Sequence, residues 1–212
     1  MEAKFWLGKW ERNEIAFHGS EANALLVKCF GALALPPGSR VFVPLCGKSL
    51  DMVWLLSRGC RVAGAELSEL AVRQFFSELG VEPKVSLEGG LKRYCAENID
   101  IFCGDIFDLT PVVLGPVNAV YDRAALVALP GAFRPRYAEH VRTLTGQAPQ
   151  LLICYEYDES KGEGPPFSIS PEEIERHFSG SYEVSFLESF EVPGGFKDMG
   201  PAKENVWLLK RK

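Results

Sequence analysis

Two apolar segments, each followed by a helix-like segment, constrain the fold of this chain more than any other feature. Residues 40–46 and 61–67 are rich in apolar side chains, as is typical of strands that are covered on both faces. The helix after the first strand is predicted to close at Gly59. The helix after the second is predicted to begin at Ser68 and end at Gly80. This strand–helix–strand–helix order predicts a parallel sheet with right-handed crossovers.

Five more strands are predicted downstream, and they complete the sheet. Their positions are 99–103, 117–122, 150–157, 182–192 and 206–209. A helix at 134–144 separates the fourth strand from the fifth. The last two strands follow each other without a helix, which predicts an antiparallel hairpin at the sheet edge. Residues 81–98 are interpreted as an insertion with a short hairpin. The predicted fold class is therefore α/β, with a doubly wound, mostly parallel seven-stranded sheet.

The first 35 residues are predicted to be helical, and residues 36–212 to form the α/β core of a single domain spanning 1–212. Ser20 is a candidate N-cap in this segment. Trp6 and Trp10 are four residues apart, so they share one helical face. That face either packs onto the core or forms a lid over the open end of the sheet, and the two readings are compatible.

Composition disfavours several classes of protein. Asp and Glu number 28 against 23 Lys and Arg, so a nucleic-acid partner is not expected. No apolar stretch approaches the roughly 18 residues of a membrane helix, and the start lacks a signal sequence, so no membrane partner is expected. The six cysteines form no CxxC pair, which predicts reduced thiols in a cytoplasmic protein. No metal site is predicted, and nothing demands more than a monomer.

The ends of the predicted strands carry the candidate site residues, because ligands of open α/β sheets bind there. Glu66 lies 19 residues after Gly47, where an acidic residue can accept both hydroxyls of a ribose. A phosphate loop is excluded, since Phe42 stands where its first glycine belongs, and the GxGxxG fingerprint is absent. The pattern suits S-adenosylmethionine, which has a ribose but no phosphate, although a nicotinamide enzyme remains open.

Asp122 and Arg123 directly follow the fourth predicted strand. They either form a structural ion pair or bring the arginine to a cofactor carboxylate or an anionic substrate, with a bidentate geometry that lysine lacks. The three histidines, His18, His140 and His177, have no catalytic pattern around them.

Seven blocks of sequence, in this order and spacing, make the chain similar to one family. The blocks are FWLGKWERNEIAFH at 5–18, VFVPLCGKSLDMVWL at 41–55, GAELSELAV at 64–72, GDIFDL at 104–109, DRAALVALP at 122–130, GPPFS at 164–168 and ENVWLL at 204–209. The chain resembles the bacterial thiopurine S-methyltransferases, a branch of the class I methyltransferases with a Rossmann-like fold. The resemblance implies S-adenosylmethionine as cofactor, S-adenosylhomocysteine as its product, and a small-molecule thiol as substrate.

The resemblance also implies a role for particular residues. Those expected to contact the cofactor are Trp10 from the N-terminal lid, Leu45 through its backbone, Glu66 at the ribose, Asp105 and Ile106 at the adenine, and Arg123. Those expected to contact the substrate are Phe17 and Arg123.

The expected reaction is in-line methyl transfer to the sulfur of an aromatic or heterocyclic thiol. Aromatic thiols are acidic enough to ionise near neutral pH, so no catalytic residue is assigned, and Asp122 is only a guess for a base. Two alternatives stay open. One is methylation of other soft nucleophiles, such as selenium or tellurium oxyanions, halide or thiocyanate, and the other is a catalytically silent module.

Overall fold

A nine-stranded sheet runs through the part of the chain that the computed structural model describes, residues 3–15, 18–123, 125–162, 164–196 and 200–212. The strands are Arg40–Pro44 (β1), Arg61–Glu66 (β2), Lys84–Glu88 (β3), Leu91–Ala96 (β4), Ile99–Cys103 (β5), Ala119–Arg123 (β6), Gln150–Tyr157 (β7), Tyr182–Glu191 (β8) and Ala202–Arg211 (β9). Their spatial order is β3-β4-β5-β2-β1-β6-β7-β9-β8.

The centre of the sheet is parallel and its two edges are antiparallel. Strands β5, β2, β1, β6 and β7 pair in parallel, whereas β4 joins β5, and β9 joins β7, in antiparallel register. The chain leaves β1 toward β2 on one side and later returns to β6 on the other. A crevice is expected at such a switch in strand order, beyond the carboxyl end of β1.

The prediction of seven strands is wrong, because the hairpin at 84–96 extends the sheet instead of standing outside it. Strand β4 pairs with β5 from Lys92 opposite Cys103 to Ala96 opposite Ile99. Leu91 is only 4 % exposed and packs toward Gly104, where an added Cβ would lie 2.3 Å from Leu91 Cδ2. The outer strand β3 is largely exposed, so its sequence lacks the apolar signature of the core strands.

The described residues also form seven α-helices, which cover both faces of the sheet. They are Ala3–Glu11 (α1), Ala24–Cys29 (α2), Leu50–Ser57 (α3), Glu69–Leu79 (α4), Pro111–Leu114 (α5), Arg134–Leu144 (α6) and Pro171–Phe178 (α7). Helices α2 to α4 contribute to the core on one face, and α5 to α7 to the core on the other. All five residues of β1 are buried between these layers, as predicted for a doubly covered strand.

Side-chain caps fix where several helices begin. Ser49, Ser68 and Ser170 each accept a hydrogen bond from the first turn of the helix that follows them, and the helix after Ser68 begins where the sequence predicted. The prediction of Ser20 as an N-cap is wrong, because Asn23 caps α2 and its Oδ1 accepts the backbone N–H groups of Leu25 and Leu26.

Within the described ranges, no helix combines the length and apolarity that crossing a lipid bilayer requires. All six cysteines are free thiols, and five of them are buried.

Candidate active site

The turn after β1 is bent sharply by two residues in the left-handed region of backbone space. Leu45 has a φ of +47° and Gly47 a φ of +53°. A leucine rarely adopts this conformation, and strain of this kind concentrates at functional sites. The Cys46 N–H donates to the Ala65 carbonyl at 2.9 Å, so the turn is held against the end of β2. The turn thus exposes backbone groups of Leu45 at the carboxyl edge of the sheet.

Glu66 ends β2 and holds this turn in place. Its side chain accepts the Gly47 N–H on Oε2 and the Ser68 N–H on Oε1, each at 2.7 Å. Burial raises the pKa of Glu66, and the hydrogen bonds from backbone N–H groups oppose that shift. Each carboxylate oxygen can accept a second hydrogen bond, so Glu66 can also receive hydroxyl donors from a ligand.

Trp10 brings the N-terminal helix to the same turn. Its side chain is 4 % exposed, and a Cβ placed on Gly47 would lie 3.1 Å from Trp10 Cζ2. The indole therefore packs closely against Gly47, whose positive φ and short distance to the ring both disfavour a side chain at this position. Trp10, Gly47 and Glu66 form one contiguous group, although they come from a helix, a turn and a strand. Phe17, the predicted substrate contact, lies outside the described residues.

Asp105 and Ile106 follow β5 but present different groups. Asp105 is exposed, and its Oδ1 accepts the Phe107 N–H at 3.0 Å. The Ile106 side chain is buried in the core, and its carbonyl oxygen lies 2.7 Å from His140 Nε2. Burial lowers the pKa of His140, which favours a neutral ring that donates to this carbonyl. Ile106 can therefore contact a ligand at this edge mainly through its backbone.

Arg123 is the cation at the end of β6. Its Nη2 donates to the Tyr155 hydroxyl at 3.3 Å and lies 3.8 Å from Glu204 Oε1. Its Nε is buried, and no acceptor from the described part of the chain bonds to it. An unsatisfied buried N–H on a guanidinium is costly, so a ligand that brings an acceptor would gain from it.

Asp122 does not form the structural ion pair with Arg123 that the sequence left open. Adjacent residues of a strand point to opposite faces, and Asp122 lies on the face away from Arg123. Its Oδ2 accepts the Tyr137 hydroxyl at 2.6 Å, and its Oδ1 accepts the Leu126 N–H at 3.3 Å. With 1 % exposure, Asp122 is a core residue and does not reach the crevice as a base.

Asp122 makes fold stability depend on pH. Burial raises the pKa of Asp122 to about 6, although hydrogen bonds from Tyr137 and from backbone N–H groups lower it. The folded chain then binds this proton more tightly than the unfolded chain, so stability falls as pH rises from about 4 to about 6. We expect this fall to be on the order of 1–3 kcal/mol smaller in Asp122→Asn, since asparagine can serve both partners without charge. Urea unfolding at several pH values measures it.

The matched control is Asp108→Asn, which removes a carboxylate that is exposed to solvent. Its pH dependence of unfolding should follow that of the unaltered protein. If Asp122→Asn also keeps the original slope, burial of the Asp122 charge does not set the pH dependence.

The structure adds residues near Arg123 that sequence reasoning missed. Asp51, on α3, is 2 % exposed, and it accepts the Tyr121 hydroxyl at 2.9 Å and the Asn23 N–H at 2.7 Å. Asn23 Nδ2 also donates to Glu204 Oε1 at 3.4 Å. These contacts tie the start of α2 to the end of the sheet. The signal for Glu204 was its place in the ENVWLL block, but its contacts depend on the register between β7 and β9.

The ring of Phe196 packs against two tyrosines of β7, next to Arg123 and Glu204. The Phe196 ring meets Tyr155 edge-to-face, with 4.8 Å between centroids, and also meets Tyr157 at 5.7 Å.

Across the described residues, no group of three or more His, Cys, Asp or Glu side chains is arranged to hold a metal ion. A groove of about 640 Å³ between α4 and the β3–β4 hairpin lies away from these residues, so we do not assign it to the site.

The fold defines the class of protein. A SAM-dependent methyltransferase from Anabaena variabilis superposes with a TM-score of 0.63 at 20 % identity, covering 99 % of this chain and 95 % of that one. The 1,6-didemethyltoxoflavin-N1-methyltransferase from Burkholderia thailandensis superposes with a TM-score of 0.66 at 14 % identity, and the match covers 98 % of this chain and 87 % of that one. The chain therefore has the fold of the SAM-dependent methyltransferases.

Sequence similarity is closer and narrows the class to a family. The family model described as Thiopurine S-methyltransferase (TPMT) matches residues 1–212. A thiopurine S-methyltransferase from Xanthobacter autotrophicus is 54 % identical over 212 residues and covers 100 % of both chains. One from Gluconobacter oxydans is 49 % identical over 211 residues, covering 98 % of this chain and 96 % of its own. The chain belongs to the thiopurine S-methyltransferase family, which confirms the resemblance found in the sequence.

Proposed function

We propose that this protein transfers the methyl group of S-adenosylmethionine to the sulfur of aromatic and heterocyclic thiols, thiopurines among them. The observation that carries the proposal is Glu66, a buried carboxylate at the end of β2 that holds the β1 turn. A carboxylate in this place suits a ribose, and the turn beside it lacks the glycine pattern of a pyrophosphate site. The relatives that match the whole chain carry the name of this activity.

The described residues fit the methyl donor. Glu66 would accept the ribose hydroxyls, and the buried Arg123 Nε–H would gain the acceptor that it lacks from the donor's carboxylate or from an anionic substrate. The remaining proposed contacts are the Trp10 indole, the Leu45 backbone, the Asp105 side chain and the Ile106 backbone. When bound, S-adenosylmethionine supplies an electrophilic methyl group on a sulfonium.

Arg123 would also serve the acceptor. A guanidinium close to the sulfur favours the thiolate over the thiol, so the fraction of reactive anion rises. Phe196 and Tyr155 would form an aromatic wall beside the substrate ring, and Phe17 is a further proposed contact. Holding the sulfur in line with the methyl group can supply roughly 7–11 kcal/mol of the rate enhancement. A thiol that is already ionised has no proton to lose, so its methylation needs no dedicated base.

A direct assay tests the proposal. Purified protein is incubated with S-adenosylmethionine and an ionised aromatic thiol such as 4-nitrobenzenethiol, and the S-methyl product is measured. We expect turnover with the thiol and little product with selenite. Product from selenite or thiocyanate alone would favour the soft-nucleophile alternative. Thermal stabilisation by NAD but not by S-adenosylhomocysteine would point to an oxidoreductase.

We infer that residues 1–35 act as a lid on the 36–212 core of one domain. The support is the Trp10 indole, which covers Gly47 beside Glu66. We expect Trp10→Ala to weaken S-adenosylhomocysteine binding about tenfold. Removing a buried tryptophan side chain costs about 3–5 kcal/mol of packing free energy, and we expect most of this loss to appear as local opening of α1 and the rest as weaker binding. We also expect trypsin to cut faster at Lys9 and Arg12. Calorimetry and limited proteolysis measure the two effects.

Phe5→Ala is the matched control, because Phe5 lies on the same helix but is 38 % exposed. It should change neither binding nor cleavage appreciably. Cleavage rates that are the same with and without S-adenosylhomocysteine in the unaltered protein would contradict a closing lid.

We further infer a cytoplasmic monomer that acts on a small molecule, with no nucleic-acid or membrane partner. Six free thiols support a reducing compartment. The acidic net charge of −5 supports the absence of a nucleic-acid partner.

A further inference from the structure

Thione acceptors differ from ionised thiols because they carry a proton on a ring nitrogen. Many heterocyclic thiols exist as thiones, with C=S beside a ring N–H. When the sulfur of a thione gains a methyl group, the ring nitrogen must lose its proton to restore a neutral product. A thione acceptor therefore needs a proton acceptor at the ring nitrogen, whereas a thiolate needs none.

Glu204 is placed beside the residues that would contact such a ring. It lies on β9 directly opposite Tyr155 on β7. Its Oε1 is 3.8 Å from Arg123 Nη2, too far for a hydrogen bond, and 3.4 Å from Asn23 Nδ2. The Glu204 side chain is 18 % exposed, so it is not sealed from a ligand in the crevice. The carboxylate thus stands near the cation without closing a tight ion pair.

The nearby carboxylates on the central strands and α3 are committed elsewhere. Asp122 is 1 % exposed and bonded to Tyr137 on the other face of the sheet. Asp51 is 2 % exposed, and its two oxygens accept Asn23 N–H and the Tyr121 hydroxyl. Glu66 binds two backbone N–H groups at the end where the ribose would lie. Of these described carboxylates, Glu204 is the one that lies beside Arg123 and keeps some exposure.

We propose that Glu204 accepts the ring proton of heterocyclic thione substrates while their sulfur is methylated. The proposal rests on the proposed function and names the acceptor class it serves. In the step, the thione sulfur forms a bond to the methyl carbon as the bond between that carbon and the sulfonium breaks. The electron pair of the ring N–H bond forms C=N, the C=S bond becomes C–S, and the proton passes to the Glu204 carboxylate and then to water.

A carboxylate is basic enough for this role because the ring becomes more acidic during the step. As the sulfur gains the methyl group, positive charge develops on the ring and its N–H proton is released more easily. The Arg123 Nε–H, which bonds no acceptor among the described residues, can hold the sulfur or a neighbouring ring acceptor while Glu204 takes the proton of the ring N–H. A thione presents a ring N–H next to its C=S sulfur. Glu204 can accept a hydrogen bond from the N–H, and Arg123 can donate one to the sulfur.

The test compares two acceptors in the Glu204→Gln variant of the full chain. Pyridine-2-thione carries a ring N–H, and 4-nitrobenzenethiol is an anion without one at neutral pH. We expect kcat/KM for the thione to fall by about 100-fold, in the range of general-base contributions, and kcat/KM for the thiolate to change by less than about threefold. As pH rises, the thione itself ionises, so its kcat/KM in the variant should recover toward the unaltered value.

Two measurements separate this role from a structural one. S-adenosylhomocysteine affinity by calorimetry should be unchanged in Glu204→Gln, and Glu191→Gln, an exposed glutamate on β8, should behave as the unaltered protein. An equal fall for both acceptors, or no recovery at high pH, would show that Glu204 only supports Arg123 and would overturn the proposal. If the unaltered protein methylates neither acceptor, the proposed function itself fails.

Discussion

Glu66→Ala is expected to weaken S-adenosylhomocysteine binding by about 100-fold or more. A hydrogen bond to a charged group contributes about 1.5–3 kcal/mol, and the variant loses the acceptor for both ribose hydroxyls. It also leaves the Gly47 and Ser68 N–H groups without the carboxylate that holds them, so the β1 turn loses its anchor. Isothermal titration calorimetry at neutral pH measures the affinity, and circular dichroism checks that the variant is folded.

Glu97→Ala controls for the loss of one negative charge. Glu97 is exposed in the turn between β4 and β5, at the edge of the sheet opposite the carboxyl ends of the parallel strands. Its affinity should match that of the unaltered protein. If Glu66→Ala binds S-adenosylhomocysteine as tightly as the unaltered protein, Glu66 does not hold the ribose and the proposed cofactor site is wrong.

Arg123→Lys is expected to lower kcat/KM for an ionised aromatic thiol by about 10- to 100-fold. Lysine keeps the charge but has one nitrogen, so it cannot both reach the Tyr155 hydroxyl and present a second donor where Arg123 Nε lies. Losing one charge-assisted hydrogen bond accounts for this range. The melting temperature should move by less than about 4 °C, which corresponds to about 1 kcal/mol for a chain of this size. Steady-state kinetics and thermal unfolding measure the two effects.

Arg134→Lys is the matched comparison, because Arg134 is a buried arginine with a structural role. Its Nε donates to the Leu129 carbonyl at 2.8 Å, and its Nη1 bonds Glu173 at 2.9 Å. This variant should lose stability while the kcat/KM of the remaining folded protein stays close to normal. If Arg123→Lys shows the same pattern, with lower stability and unchanged kinetics, Arg123 is a structural residue.

The sequence predicted the parts of the fold that are buried on both sides. Strands β1, β2, β5 and β7 lie within two residues of their predicted positions, because continuous apolar segments are typical of doubly covered strands. The sequence also placed Glu66 at the end of a buried strand, and Glu66 is the last residue of β2. Apolar runs and the residues that end them span only a few positions, so they can be recognised in a single sequence.

The sequence missed features that depend on pairing between distant segments. The β3–β4 hairpin was interpreted as an insertion, because its outer strand is exposed and resembles a polar loop. The sequence predicted Ser20 as a cap, whereas Asn23 caps α2 and its backbone N–H donates to Asp51 on α3, a contact between segments distant in sequence.

By itself the sequence determined the α/β class, the family, the helix cap at Ser68, and the acidic residue at the end of β2. The tertiary structure alone decided that Asp122 bonds Tyr137 in the core while Arg123 points to the other face of the sheet, and that Glu204 comes within 3.8 Å of Arg123. The physical reason is the range of the forces involved. Burial and capping act over a few residues, whereas the register between β7 and β9 is set by packing of the whole sheet.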